Sequence, residues 1–326
     1  MYIINYLKDQ NLNWKFTTFP GLWQFKTVES SFSGLVFNHP RPVDFIRSQW
    51  NCFAPKYFTV YRVLLAIILF AWMIWDITRE TVKYFHHIGY TWFTYATNWT
   101  FMVFVFIHII LAICCLIYNI KYFPSEPRFY QPIWFLYNLA STSVLVICVV
   151  FWFALSNSSM DVFTSWQGRV KHSLTGIIVL IDLCLCAIPV RMLHVIYPFT
   201  AGLLYCFFTY LFWLFRGKGA YGIGQIYPGI EWDKPKSTSL ACLSGLMTSI
   251  LCHVVLYIVY FARVKISAKI GGRGYILVKE ANEQQGYDNM EFNLNDEIGQ
   301  QEKQTSIKPS NLQNPLTISQ KYGTVE

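Results

Sequence analysis

Six long apolar blocks constrain this chain more than any other feature. They fall near 58–75, 98–120, 132–155, 174–190, 195–215 and 240–262. A helix needs roughly 20 apolar residues to cross a bilayer, and backbone groups cannot stay unpaired in lipid, so such blocks are helical. Composition agrees: 54% of the 326 residues are hydrophobic and 13% are charged, against about one quarter charged in a soluble domain. The expected fold is all-α, a polytopic membrane bundle of six transmembrane helices, with the fourth and fifth joined in a tight hairpin across Arg191 to His194. The expected division is a cytoplasmic leader over 1–56, a six-span domain over 57–265 and a disordered cytoplasmic tail over 266–326. The tail is rich in Gln, Asn, Glu and Lys and lacks the apolar clusters that would offset ordering entropy.

The opening "MYIINYLKDQNLNW" has neither a basic start nor a compact apolar core, so the first span acts as signal anchor. The net charge of +8 does not form a patch interleaved with aromatics, which argues against a nucleic-acid partner. Basic residues sit beside span ends, as juxtamembrane lysines and arginines do. The cluster Arg263, Lys265, Lys269 and Arg273 after the sixth span puts both termini in the cytoplasm. Asn157-Ser158-Ser159 then lies outside, as a glycosylation acceptor at Asn157 requires. The nine cysteines read as small membrane-compatible hydrophobes rather than disulfides or metal ligands. No cofactor-binding or metal-binding motif is present.

Polar residues inside the spans carry the candidate chemistry. With both ends cytoplasmic, spans two, four and six run in the same direction. His108, Asp182 and His253 then come to one level, about 15–20 Å below the outer boundary at ~1.5 Å per residue. A charge in mid-bilayer costs at least ~2.5–3.5 kcal/mol on insertion scales, so Asp182 should face inward and meet His108 or His253. On the fourth span Thr175, Ile178, Asp182, Cys186 and Pro189 share a face. On the sixth, Ala241, Gly245, Ser249 and His253 form a small-residue stripe of the kind that lets helix backbones approach closely. A second constellation lies at the outer boundary, where Thr97 opens span two and His172 opens span four, near Tyr227, Pro228 and Trp232. A hydroxyl beside an imidazole is the minimum for nucleophilic acyl transfer. The simpler alternative is a helix-capping Thr97 and an interfacial His172.

Three stretches together, "TYATNWTF" from Thr94, "KHSLTGIIVLIDLCLCAIPVRMLHVIYP" from Lys171 and "IYPGIEWDKP" from Ile226, resemble the rolling stone family of multi-pass membrane proteins. The resemblance covers about residues 50 to 265. It implies the plasma membrane and a role in myoblast fusion. More remotely, the chain is similar to the androgen-induced membrane hydrolases, which cleave fatty acid esters with an intramembrane threonine and a histidine. That similarity implies Thr97 as nucleophile. Of that family's two histidines three residues apart, the first stands here as His172, but the second, the catalytic one, is replaced by Thr175.

The leading expectation is thus a plasma-membrane protein acting through interactions, in cell–cell contact or fusion. Its partners would be membrane lipids and either another membrane protein or a second copy of itself. The alternative is a lipid-ester hydrolase using Thr97 with His172 or His108, and the third reading is a transporter.

Overall fold

The computed structural model describes residues 35–39, 41–84, 90–120, 127, 129–156, 161–219, 221–270 and 272. All lie in the first of two compact units, Met1–Val278 and Lys279–Glu326. Asn157 and the tail beyond Gly272 lie outside the described residues.

Among the described residues seven α-helices follow one another: α1 (Pro55–Lys83), α2 (Ala96–Ile120), α3 (Tyr130–Val150), the single-turn α4 (Asp161–Thr164), α5 (Trp166–Leu185), α6 (Ile196–Leu214) and α7 (Pro235–Lys269). A π-helical turn, Phe151–Leu155, prolongs α3, and a 3-10 turn, Met192–Val195, leads into α6. Among the described residues, five helical stretches are long and apolar enough to cross a membrane: Pro55–Lys83, Ala96–Ile120, Tyr130–Leu155, Met192–Leu214 and Pro235–Lys269. Helix α3 is the hub, packing against α2, α5, α6 and α7, while α1 packs on α2. Helix α6 is peripheral; only 11% of its apolar window is buried. Exposed Leu204 and Phe207 on α6 and Ile67 and Ile68 on α1 suit lipid far better than water.

Local sequence sets the helix limits. Pro55 and Pro235 open α1 and α7, where a missing amide hydrogen costs nothing and the fixed φ is already helical. The Ser165 hydroxyl caps α5 by accepting from the Gly168 amide at 3.1 Å, satisfying one of the free donors of the first turn.

The fourth apolar block departs from expectation. Its helix begins eight residues earlier than 174 and stops at Leu185, so Cys186 and Pro189 leave the helical face, and no tight helical hairpin joins α5 to α6. Pro189 disfavours helix at the residue before it, and the extended chain finds other partners. Ser48 pairs with Cys186 in an antiparallel bridge. The Gln49 amide donates to the Leu185 carbonyl at 3.0 Å and the Ala187 amide to Arg47 at 3.1 Å.

The end of α5 is thereby closed by residues distant in sequence. Trp50 Nε1 donates to the Cys184 carbonyl at 2.8 Å, and Ser48 Oγ to Leu185 at 2.8 Å. Arg263 of α7 donates to the carbonyls of Leu183 and Ile188. Helix C-termini leave carbonyls unsatisfied and carry partial negative charge, and a buried guanidinium answers both needs. Arg263 is 3% exposed, so it is a core residue rather than the juxtamembrane charge the sequence suggested.

Candidate functional site

Two buried ion pairs join α1 to α5. In the first, Arg62 Nη1 and Tyr61 Oη both donate to Asp182 Oδ1, at 2.7 and 2.8 Å, and Tyr137 Oη of α3 donates to Oδ2 at 2.8 Å. Arg62 and Asp182 are essentially inaccessible, and the guanidinium lies 4.9 Å from the centre of the Phe58 ring. His108 Nε2 stands 3.8 Å from Asp182 Oδ2, beyond hydrogen-bonding distance, while its Nδ1 donates to the Phe104 carbonyl at 2.8 Å. His253 is elsewhere: its Nε2 donates to the Arg191 carbonyl at 2.9 Å, and its Nδ1 lies 3.0 Å from Thr142 Oγ1. The expected level of three titratable groups is therefore two neighbours, His108 and Asp182, and a separate His253. Asp182 takes its charge partner from α1.

In the second pair Lys171 of α5 contacts Asp76, lies 3.5 Å from Glu80 and donates to Asn98 Oδ1 at 2.7 Å. Its ammonium lies 5.8 Å from the Trp92 ring centre. The charges alternate in sign. Helix α1 runs from a cation at Arg62 to acids at Asp76 and Glu80; α5 runs from a cation at Lys171 to an acid at Asp182. The pairs lie about 21 Å apart along α1 and about 16 Å along α5 at ~1.5 Å per residue. Only the antiparallel arrangement in this register matches every sign.

Beside the second pair, Thr97 and His172 come together without bonding. Both line a void of about 10 Å³. The His172 ring is stacked on Phe151, with centroids 3.9 Å apart and planes 15° from parallel. Among the described residues no hydrogen bond joins it to Thr97. Thr97 and Tyr205 instead lie close enough to the Tyr227 hydroxyl to influence it, while the Tyr205 hydroxyl donates to the Thr94 carbonyl at 2.8 Å. Burial raises the Tyr227 hydroxyl above its ordinary pKa, so it stays neutral. Tyr227 is delivered by the loop between α6 and α7, which turns through a short hairpin of β1 (Lys218–Gly219) and β2 (Gly222–Ile223). Gly222 has φ +117°, a conformation that side chains resist.

A larger cavity of about 500 Å³ opens from the same point. It lies between α2, α3, α6 and α7 and under Tyr227, Pro228 and Gly229. Ala241, Gly245 and Ser249 line it, and a Cβ added at Gly245 would meet nothing within 4 Å. The small-residue stripe on α7 thus faces open space at Gly245 rather than a tightly packed helix.

Comparison with known proteins places this architecture. The family model described as protein rolling stone matches residues 24–270. The chain belongs to the rolling stone family. A curated relative, protein rolling stone of Drosophila melanogaster, is 25% identical over 177 residues. That alignment covers 50% of this chain and 64% of the relative, so the chain spans somewhat under two thirds of the relative's length. No solved structure matches. Family membership and the apolar helices together make this a multi-pass integral membrane protein.

Sequence reasoning missed Tyr61, Arg62, Asp76, Glu80 and Tyr137. A signal existed for Arg62: a lone arginine inside an apolar block must find an anion at its own depth, and Asp182 was available. The acids at 76 and 80 lay just past the first block, where they read as solvated.

Proposed function

We propose that this chain is a six-span rolling-stone-type protein of the plasma membrane, with α5 as the fourth span and both termini cytoplasmic, acting by association at cell–cell contact or fusion. The observation that carries this reading is the use of intramembrane charge. Asp182, Arg62, Lys171 and Asp76 are paired with one another between α1 and α5, and among the described residues no charged residue lines the 500 Å³ cavity. A transport pathway would place titratable groups along an accessible route. A rigid bundle with lipid-exposed α6 is instead suited to presenting surfaces to other membrane components. Mixing two differently labelled cell populations, with and without this chain, tests the role. An unchanged frequency of contact and fusion would remove it. A protease-sensitive tag at Glu326 that resists external protease in intact cells supports the orientation.

One observation favours a second reading, an intramembrane lipid esterase: Thr97 and His172 share the small void beside the large cavity. A threonine nucleophile needs its base within about 2.6–3.2 Å, and His172 must leave Phe151 to reach it. A fluorophosphonate probe decides. Labelling lost in both Thr97→Ala and His172→Ala establishes the enzyme; no labelling of the wild-type chain leaves the association reading.

A further inference from the structure

The 500 Å³ cavity has a chemistry of its own, independent of either reading of function. Its walls mix bulky apolar side chains such as Trp99, Ile147 and Leu246 with small residues, Gly245 and Ser249 of α7 among them. Stripes of small residues ordinarily draw helices together. At Gly245 the stripe faces open space, and the chamber lies beside the most lipid-exposed helix of the bundle. Its size lies within the ~300–1,000 Å³ of small-molecule sites.

Polar groups in the chamber are sparse and uncharged. At the loop end Thr97, Tyr205 and Tyr227 form a cluster of hydroxyls. Further in, about 12 Å along α7 from Ala241 at ~1.5 Å per residue, lies Ser249. It is 4% exposed, and its hydroxyl has no hydrogen-bond partner. Serine in a helix usually bonds back to a carbonyl of the preceding turn; this one does not, although a buried polar group without a partner is uncommon. Among the described residues no lysine, arginine or histidine lines the chamber, so none of them compensates a carboxylate or a phosphate there.

We propose that this chamber binds a sterol-class lipid: a neutral, rigid, fused-ring body with a single hydroxyl as its polar end. The largely apolar, uncharged lining and the cavity's volume suit a compact neutral ring system. The Thr97–Tyr227 cluster and Ser249 supply neutral donors and acceptors for one hydroxyl at either end. Entry is sideways from the bilayer, past α6.

The test uses the full-length chain, purified in detergent and returned to phosphatidylcholine nanodiscs. It is exposed either to a photoreactive, clickable sterol or to a photoreactive, clickable diacylglycerol. The sterol probe should label peptides of α3, α6 or α7 that line the chamber, and excess unlabelled sterol should compete it away. Gly245→Trp should abolish that labelling, because the indole projects into space that holds no atoms. Gly245→Leu, a smaller intrusion, should reduce it and guards against misfolding of the tryptophan variant. Ser249→Ala should weaken labelling about two- to tenfold if the ligand hydroxyl bonds there, the worth of one neutral hydrogen bond. Labelling unchanged in monodisperse Gly245→Trp and Gly245→Leu would overturn the site. Stronger labelling of the same peptides by the diacylglycerol probe, competing the sterol off, would overturn the ligand class.

Discussion

Replacing Asp182 with leucine should be among the most damaging single changes available to this bundle. The carboxylate accepts from Arg62, Tyr61 and Tyr137. Its removal leaves a fully buried guanidinium, whose Nε and Nη2 already lack partners, with no counter-charge and two hydroxyls with no acceptor. Breaking a buried pair from one side costs about 3–5 kcal/mol. At about 2–4 °C per kcal/mol for a domain of this size, melting should fall by about 6–20 °C. Asp182→Asn keeps an acceptor for Arg62 and should lie between wild type and leucine. The informative variant is the double Arg62→Met, Asp182→Leu, which removes both charges together. Buried pairs replaced as a unit by apolar residues are often neutral or better, so the double should melt above either single. Fluorescence-detected thermal unfolding in detergent measures all four. A double variant less stable than both singles, or Asp182→Leu melting like wild type, would refute the claim that the pair is a desolvated unit.

Other expectations follow from the same geometry. Lys171→Met leaves Asp76 and Glu80 without their cation and should lower the melting temperature, whereas Glu80→Gln removes the surplus acid and should leave it unchanged or raise it. Arg263→Met uncovers the carbonyls of Leu183 and Ile188; charged hydrogen bonds contribute about 1.5–3 kcal/mol each, and hydrogen–deuterium exchange should quicken over 186–190. A Cβ at Gly219 would come 1.9 Å from the Gln225 carbonyl oxygen, so Gly219→Ala should unseat the loop that delivers Tyr227, detected as new protease sensitivity there. At Gly176 the added Cβ would stand 2.9 Å from Cys148 Sγ, a flexible neighbour, so Gly176→Ala should cost far less, read in the same melts.

Hydrophobicity made most of the fold legible, because a membrane helix announces itself by length and apolarity alone. Five of the expected blocks correspond to helices, α1 and α7 running several residues beyond their blocks at both ends while α6 falls just inside its block. The fourth was placed too far along the chain, since Arg169 and Lys171 read as solvent-side residues when Lys171 is in fact buried against α1. Partner choice was far less legible. Depth could be counted along each helix, so Asp182 and His108 were correctly put at one level. Which helices touch depends on packing that no single segment encodes, and Asp182 was assigned a histidine when α1 held an arginine. The leader shows the same limit. Nothing in the composition of "RSQWNC" from Arg47 signals that its side chains and backbone complete the end of a helix more than 130 residues away.

The sign-matched contacts between α1 and α5 also bear on how the molecule is made. Helix α5 carries Arg169, Lys171 and Asp182 within 20 residues, and each such residue opposes translocon insertion by about 2.5–3.5 kcal/mol near a helix centre. As it emerges from the ribosome it is a poor candidate to partition alone, and α1, made a hundred residues earlier, holds the complementary set. With α5 as a proposed span, its integration is expected to depend on α1, and a nascent chain truncated before residue 166 should be retained and degraded. Supplying α5 on a separate polypeptide that begins at Asp161 should rescue it.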